Sequence, residues 1–518
     1  MRILLVMPTA FEAGRLGLEN VVWLSEPVAL TSVGTAVSDR HEVRVLDLRL
    51  EREDALAREL ASFRPDIVGT TSMTTDAYQA KAVLRTARHV LPHVLTVVGG
   101  HHPTLSPDEF QEPYVDVLVQ GEGEYTFKEL VERFAATRSR AFDGVQGCRW
   151  RDPEGRWHLN PKRAQVVDLD ALPLPDRSLV RRYTDRYFFT ACRGMASIYT
   201  SRGCSFDCNF CAIWEFYERR TRLLSAKRIA DQMEACEEDF VFVLDDNFLT
   251  KKSRLVELCE ELESRRIRKF WMTQGRTDFV ADNPELIARL AKNGLVGLLS
   301  GFESNDDDNL KSLRKHNSWE KNLRANRILF DNGILSTGIF MVRPDWTAEQ
   351  FDALYAYINT LQIGVPLVTC LTPLPGTQLF RTYKDQLLTT DYRLFDLLHP
   401  VLPTRMPREE FYRHFARSVD ALKPTIRTAM LNMVRKRPEL IRRTGPGIAW
   451  FFARAWRYQR VHRDPTSFLR DEQGLLNGPG ARNGARWDDV AYPGGEAHEE
   501  VVRRRPRLWH EELPLAAK

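Results

Sequence analysis

Short apolar segments alternate with helical segments along residues 1–135, and this alternation constrains the fold more than any other sequence feature. We predict strands at residues 3–7, 43–46, 67–70, 95–98 and 115–119. These segments are mostly apolar instead of alternating with polar residues, which is typical of parallel strands covered by helices on both faces. Residues 1–135 are therefore predicted to form a doubly wound, Rossmann-like α/β domain.

The alternation resumes with longer units in residues 191–400. We predict six strands there, at residues 196–200, 240–244, 270–273, 296–300, 336–342 and 367–371. Six βα units suit an open or partial (β/α)6 TIM barrel better than a closed eightfold barrel. In both kinds of α/β domain, ligands bind at the carboxyl ends of the strands, so we expect the chemistry there.

The rest of the chain differs from these two stretches. Residues 136–190 predict a linker that carries a β-hairpin turning at residues 152–155 and a Pro-rich connection. Residues 401–470 have apolar side chains at helical spacing, which predicts a helical C-terminal region. Residues 471–518 are rich in Gly, Arg and acidic residues with little periodicity, so we expect a disordered tail.

Composition excludes several classes of protein. At 43% hydrophobic residues the chain of 518 is too apolar to be disordered. Its 74 basic and 70 acidic side chains give no support for a nucleic-acid binder. No segment reaches the ~20 apolar residues that cross a bilayer, the N-terminus lacks a signal pattern, and 8 cysteines are too sparse for a disulfide scaffold. We therefore expect a cytoplasmic protein.

Three of the cysteines, Cys204, Cys208 and Cys211, lie within eight residues directly after a predicted strand. Three thiolates from one loop can hold three irons of a cubane cluster, because soft sulfur ligands favour iron or zinc. A structural zinc site needs a fourth Cys or His, and none is close in sequence. We favour a cluster over zinc or unliganded thiols. Its fourth iron would be open to a substrate or cosubstrate.

The C-x3-C-x2-C spacing, with aromatic Phe210 before the third cysteine, resembles the signature of the radical S-adenosylmethionine enzymes. The resemblance implies a [4Fe-4S] cluster whose open iron chelates S-adenosylmethionine, with Phe210 packed near the adenine. It also implies that an external donor of flavodoxin or ferredoxin type supplies one electron. Cleavage of the sulfonium then gives a 5′-deoxyadenosyl radical.

Polar residues at three further strand ends fit the same resemblance. Asp245, Asp246 and Asn247 follow the second barrel strand, where the family places polar residues against the methionyl amine. Glu303 and Ser304 end the fourth strand, and residues 372–377 end the sixth. A helix cap is the alternative interpretation of each motif taken alone.

The N-terminal domain resembles the cobalamin-binding domains of the cobalamin-dependent radical subfamily. The similarity rests on the strand-end segments that contain Ser72, Gly99, Gly100 and His102, and Gly121 and Glu122. Glycines let the backbone approach a bulky corrin closely. The Asp-x-His-x-x-Gly motif that supplies a lower ligand to cobalt is absent, so the resemblance implies cobalt without a protein histidine. An empty scaffold domain is the alternative.

Within that subfamily the chain is similar to hopanoid ring methylases and secondary-metabolite C-methylases, in residues 17–20, 26–27, 245–248, 372–377 and 399–405. This implies methylation of an unactivated carbon of a small molecule, of secondary-metabolite or lipid type, through methylcobalamin and the adenosyl radical. The alternatives are an oxidative or ring-forming enzyme like the anaerobic cyclase of bacteriochlorophyll synthesis, and a redox sensor.

The segment 447–458 is amphipathic, with arginines near one face. Such a helix could lie on an anionic membrane surface, as a lipid substrate would favour. The alternative is a helix that packs on the barrel and leaves a basic rim in solvent.

Overall fold

The computed structural model describes residues 1–9 and 22–477. The methylase-like segment 17–20 and residues 478–518 of the predicted tail lie outside these residues. Among the described residues no helix is both long enough and apolar enough to cross a bilayer.

The N-terminal part is built on a seven-stranded sheet with the order β3-β1-β4-β5-β6-β7-β8. Its strands up to β6 are parallel, as predicted, whereas β7 and β8 are antiparallel. In chain order the strands are β1 (Arg2–Met7), β2 (Trp23–Leu24), β3 (Glu42–Asp47), β4 (Ile67–Thr71), β5 (Leu95–Gly99), β6 (Val117–Val119), β7 (Cys148–Arg151) and β8 (Trp157–Leu159). The helices are α1 (Val28–Thr35), α2 (Ala55–Phe63), α3 (Ala77–Val90), α4 (His101–Leu105) and α5 (Glu124–Thr137).

Alternate residues of β1 enter hydrophobic cores on opposite faces of this sheet. Ile3 and Leu5 belong to one core, and Leu4 and Val6 to the other. A strand buried on both faces is apolar at every position, which explains the continuous apolar segments in the sequence. The predicted hairpin of β7 and β8 is present, but it extends the sheet beside β6 instead of standing in a linker.

The second part is a six-stranded, fully parallel sheet in sequence order, β11-β14-β15-β16-β17-β18, which confirms the predicted partial barrel. The strands of this part are β9 (Phe188–Phe189), β10 (Cys192–Arg193), β11 (Met195–Ile198), β12 (Ser201–Arg202), β13 (Arg222–Leu223), β14 (Phe240–Val243), β15 (Phe270–Gln274), β16 (Leu295–Glu303), β17 (Leu335–Val342) and β18 (Val365–Cys370). Its helices are α6 (Ile213–Phe216), α7 (Ala226–Ala235), α8 (Lys252–Ser264), α9 (Thr277–Asp282), α10 (Pro284–Lys292), α11 (Asp307–Ser312), α12 (Trp319–Asp331), α13 (Ala348–Leu361) and α14 (Gln378–Tyr383). Two small antiparallel sheets, β10-β9-β2 and β12-β13, complete it.

The C-terminal part is helical, as predicted. Its helices are α15 (Arg408–Ala416), α16 (Ser418–Ala421), α17 (Lys423–Lys436), α18 (Pro438–His462) and α19 (Pro465–Asn477). Residues 471–477 belong to α19, so the expected disordered tail does not begin at residue 471. The sequence prediction missed the buried carboxylate of Glu472, which accepts a hydrogen bond from Arg408 at 2.5 Å.

Candidate functional site

The cysteine loop, residues 204–211, lies between β12 and α6 at the carboxyl edge of the barrel sheet. Its turn is fixed from within, because Cys211 N and Trp214 Nε1 both donate to the Cys208 carbonyl, at 3.1 and 2.8 Å. Gly203 enters the loop with φ +87°, and a Cβ there would lie 2.1 Å from the Arg220 carbonyl oxygen. The chain can pass this point only as glycine.

Residues in loops that follow later barrel strands contact Phe206 and Asp207 of the cysteine loop. The Arg276 guanidinium lies 3.6 Å from the centre of the Phe206 ring and donates to the Lys315 carbonyl at 2.7 Å. His316 Nε2 lies 2.8 Å from an oxygen of Asp207. The sequence prediction did not include Arg276 or Lys315, since neither belongs to a recognisable motif.

Glu303, at the end of β16, forms a buried ion pair with Lys315 at 2.7 Å. Glu303 has φ +62°, and a Cβ at Gly301 would lie 1.9 Å from its Oε1, so this glycine makes room for the inward carboxylate. Burial would lower the pKa of Lys315, but Glu303 and Cys208 offset it and the pKa is raised. Glu303 therefore neutralises a lysine beside the cysteine loop.

Asp245 is fully buried and faces protein donors. Its carboxylate accepts from Thr200 N at 2.6 Å, Thr200 Oγ1 at 2.5 Å and Ser201 N at 3.0 Å. Burial still raises its pKa. Asp245 thus fixes the turn that leads from β11 into β12 and the cysteine loop.

The two residues after Asp245 are arranged differently. The Asp246 side chain is accessible, yet burial first, and the charge of Asp245 second, raise its pKa to about 7. Asn247 is buried, and its Oδ1 has no hydrogen-bond partner among the described residues. Both side chains therefore have polar atoms free to meet a ligand.

Tyr199, which sequence analysis did not single out, lies beside these residues. It is 40% exposed, and still burial raises its pKa well above the ordinary value, with Asp246 the next cause. The Tyr199 ring therefore lies close to the Asp246 carboxylate. Burial raises the pKa of Cys211, and the charges of Cys208 and Asp246 raise it further, so Asp246 also lies near the cysteine loop.

At the carboxyl edge of the N-terminal sheet, Ser72 is buried and its hydroxyl donates within its own turn, to Asp76 at 3.0 Å. Gly100 has φ +105°, and a Cβ there would lie 2.6 Å from Thr71 Oγ1, so this turn requires glycine for its own packing. Gly121 also has positive φ, +77°, but nothing lies within 4 Å of its Cβ position. Gly100 and Gly121 are thus both predicted glycines with positive φ. Of these two, Gly121 is the one with free space at its Cβ position.

The paired histidines of α4 are both desolvated. Burial lowers the pKa of His102 to about 3, and its Nε2 has no partner among the described residues. The His101 ring lies 4.4 Å from the Phe216 ring of α6, and burial lowers its pKa to about 4. His101, which was not predicted, therefore connects the N-terminal sheet edge to the helix after the cysteine loop.

Glu122 and Glu124 reach across to the barrel. Glu122 Oε1 accepts from Arg202 at 2.9 Å and Arg222 at 2.7 Å, and Glu124 pairs with Arg202. Hydrogen bonds from both arginines keep the pKa of Glu122 low against the effect of burial. Both Glu122 oxygens are occupied, because Val166 N donates to the second at 2.9 Å.

Comparison with known proteins assigns this architecture. Residues 14–131 match the B12 binding domain model, and residues 198–358 match the radical SAM superfamily model. The chain is 32% identical over 402 residues to the hopanoid C-3 methylase of Methylococcus capsulatus, covering 77% of this chain and 76% of that protein. The chain belongs to the cobalamin-dependent radical S-adenosylmethionine methyltransferases.

Two more proteins are similar to this chain, one in sequence and one in fold. The anaerobic magnesium-protoporphyrin IX monomethyl ester cyclase of Rubrivivax gelatinosus is 29% identical over 372 residues, covering 69% of this chain and 66% of the cyclase. The fold is similar to that of the radical enzyme OxsB with aqua-cobalamin and S-adenosylmethionine bound, with a TM-score of 0.63 at 15% identity over 94% of this chain and 83% of OxsB. The prediction of a cobalamin-dependent radical methyltransferase is confirmed at the level of the family.

The cysteine loop of this methyltransferase fits a cubane cluster. Burial raises the pKa of all three thiols, and of Cys211 to about 12, so free thiolates are disfavoured without a metal to bind them. Within residues 1–9 and 22–477, no three His, Cys, Asp or Glu side chains converge as a single metal ion requires. A cubane takes each thiolate on a different iron, so its sulfur ligands surround the whole cluster and lie farther apart than the ligands of a single ion.

Phe210 and Ser304 flank the loop. Phe210 is half-buried in an apolar cluster with Leu313, Leu371 and Leu379, which leaves part of its ring available. Ser304 is buried, and its Oγ accepts from Asp306 N at 3.2 Å, so it begins the loop before α11. On the cobalamin side, the open space at Gly121 and the unpartnered Nε2 of His102 fit a large ligand with hydrogen-bonding groups.

Proposed function

We propose that this methyltransferase methylates an unactivated carbon of an apolar small molecule bound between the two sheet edges. The observation that carries the proposal is the contact of the two edges: the N-terminal strand-end loops join the residues beside the cysteine loop through buried ion pairs and through His101 and Phe216. A substrate held between them is flanked by both cofactor domains. No general base is required for reaction at such a carbon.

The residues have separate roles in this proposal. Cys204, Cys208 and Cys211 hold the cluster, Asp246 and Asn247 accept hydrogen bonds from the amine of S-adenosylmethionine, and Phe210 packs near its adenine. Gly121 and His102 contact cobalamin. When bound, the cofactors supply a transferable methyl group and a hydrogen-abstracting radical. The aromatic side chains of Tyr199 and Phe216 keep water from a reactive carbon.

The test is anaerobic reconstitution with iron, sulfide and hydroxocobalamin, followed by S-adenosylmethionine labelled in its methyl group and a chemical reductant. We expect 5′-deoxyadenosine and S-adenosylhomocysteine in equal amounts once a substrate is present, with hopanoids the first compounds to try. A product heavier by one labelled methylene unit supports the proposal. Loss of hydrogen or gain of oxygen would instead favour the cyclase-type reaction, and absence of 5′-deoxyadenosine would favour a sensor.

We further propose a cytoplasmic location and an electron donor of flavodoxin or ferredoxin type. All eight cysteines are unpaired, which suits a reducing compartment. Reduced flavodoxin should then replace the chemical reductant in the assay. Activity that depends on the chemical reductant alone would contradict this donor class.

We also propose that α18 touches an anionic membrane surface. Its Trp450 packs against Phe188 at 4.8 Å, whereas Phe452 and Trp456 are 56% and 60% exposed beside the exposed Arg457 and Arg460. Exposed aromatics with flanking arginines suit an anionic interface.

Sedimentation with phosphatidylglycerol vesicles, compared with phosphatidylcholine vesicles, tests the membrane proposal. The double variant Phe452→Ser and Trp456→Ser should bind the anionic vesicles at least about tenfold more weakly. Trp319→Ser, at another exposed tryptophan, should bind as the wild type does. Unchanged binding by the double variant would refute the contact.

A further inference from the structure

We propose that Glu122, Glu124, Arg202 and Arg222 couple the two cofactor sites, so that cobalamin binding stabilises the cluster and the cluster strengthens cobalamin binding. These four residues are called the carboxylate–arginine tie below. The inference rests on the proposed function, because it needs both cofactors. It goes further in assigning positioning roles to residues that bind neither.

The tie is a continuous series of ion pairs, from Glu124 through Arg202 and Glu122 to Arg222. Glu122 bonds both arginines, and Arg202 bonds both glutamates. Arg222 donates to each Glu122 oxygen, at 2.7 and 2.9 Å, and to the Val166 carbonyl at 2.6 Å. None of the four side chains is more than 17% exposed. Charges removed from water to this extent depend on their partners, so a displacement of one glutamate changes the energy of the whole network.

On the barrel side the tie is next to the cluster ligands. Arg202 and Arg222 are directly opposite each other in the β12-β13 ladder, and Arg202 is separated from Cys204 only by Gly203. Gly203 lies tightly against Arg220 and Tyr217. A displacement of Arg202 would therefore also displace Cys204, the first of the three cluster ligands.

On the N-terminal side the tie connects to both glycine turns. Thr104 Oγ1 donates to the Gly100 carbonyl at 2.7 Å and accepts from Gly121 N at 3.0 Å. Glu122 follows Gly121 directly. A ligand that orders these turns would thus fix the glutamates, and the glutamates would fix the arginines beside Cys204.

A second ion-pair group provides the matched control. Arg177 bonds Glu26 at 2.6 Å and Glu238 at 2.8 Å, and so also joins the N-terminal part to the barrel. Glu238 precedes β14, at the end of the barrel sheet opposite the cysteine loop. Glu238→Gln removes a similar partly buried carboxylate without touching the tie.

The experiment measures coupling directly. First, the loss of the cluster to an iron chelator is timed by absorbance, with and without hydroxocobalamin. Second, the affinity for hydroxocobalamin is measured by titration, with and without the cluster. Both measurements are made on the wild type, Glu122→Gln, Glu124→Gln and Glu238→Gln. We expect cobalamin to slow cluster loss at least about fivefold in the wild type and in Glu238→Gln. The cluster should also strengthen cobalamin binding at least about fivefold, and this factor is measured separately because reciprocity between two sites holds for affinities and not for rates. In the tie variants both ratios should fall below about twofold, with each cofactor still bound alone.

Glu124→Gln keeps the proposal testable if Glu122→Gln folds poorly, because Glu124 pairs with Arg202 alone in the tie. Arg202→Lys, which retains the charge, should keep more coupling than Arg202→Gln. Ratios near one in the wild type, or wild-type ratios in both glutamate variants, would overturn the tie. Failure to take up either cofactor at all would instead contradict the proposed function.

Discussion

The two sheet edges use their carboxylates in opposite ways. At the barrel edge Asp245 and Glu303 turn inward, to Thr200 and to Lys315, and hold loops of their own domain. At the N-terminal edge Glu122 and Glu124 turn outward and bond the arginines of the barrel. All except Glu124 were among the side chains predicted to contact a cofactor. A position at a strand end therefore places a carboxylate near a ligand site but does not decide which partner it takes.

The largest expected effect tests whether the barrel edge holds the cluster. Replacing Cys204, Cys208 and Cys211 together by Ala should reduce iron from about four atoms per chain to nearly none and abolish 5′-deoxyadenosine formation. Cys259→Ala, at a buried thiol in α8, should retain the cluster. Iron and sulfide assays with an absorbance spectrum measure this. Hydroxocobalamin binding by the triple variant shows that the protein is folded.

The next effect concerns the inward pair of the barrel edge. Glu303→Gln leaves Lys315 charged and buried without its partner, which should lower the free energy of unfolding by about 3–5 kcal/mol. Combining it with Lys315→Met should cost less than the two single changes added together. Asp308→Asn, in an exposed pair with Lys311, should cost no more than about 1 kcal/mol. Urea denaturation checks all three, and additive costs would show that the pair is not coupled.

Hydrophobic pattern was sufficient to predict the sheets, because strands buried on both faces must be apolar along their length. It also located the cysteine loop and the strand-end motifs. The carboxylate–arginine tie escaped prediction because Arg202 and Arg222 lie about 80 and 100 residues after Glu122, and no local pattern records such a contact. Tyr199 escaped for the same reason, since it comes close to Asp246 only once the barrel sheet is folded.

Two glycines offer a matched test of the two edges. Both Gly203 and Gly121 have positive φ, which should cost an alanine roughly 1–2 kcal/mol at either position. Gly203→Ala must also displace the Arg220 carbonyl, so it should lose the cluster faster than the wild type. Gly121→Ala meets no protein atom and should instead weaken cobalamin binding. Thermal denaturation and the two cofactor titrations separate these effects, and equal cluster loss in both variants would contradict the assignment.

The last test measures what Asp245 does from its buried position. Asp245→Asn turns an NH2 group toward a site where three donors meet, so it should cost about 1–3 kcal/mol of stability and loosen the turn before the cysteine loop. Thr200→Val removes only the hydroxyl bond and should cost about 0.5–1.5 kcal/mol. If Asp245 acts through this turn, both variants should retain cluster less well in proportion to their loss of stability. The opposing outcome is that Asp245→Asn alone binds S-adenosylmethionine more weakly while its cluster stays intact. That result would show that this carboxylate touches the cosubstrate, as the sequence predicted.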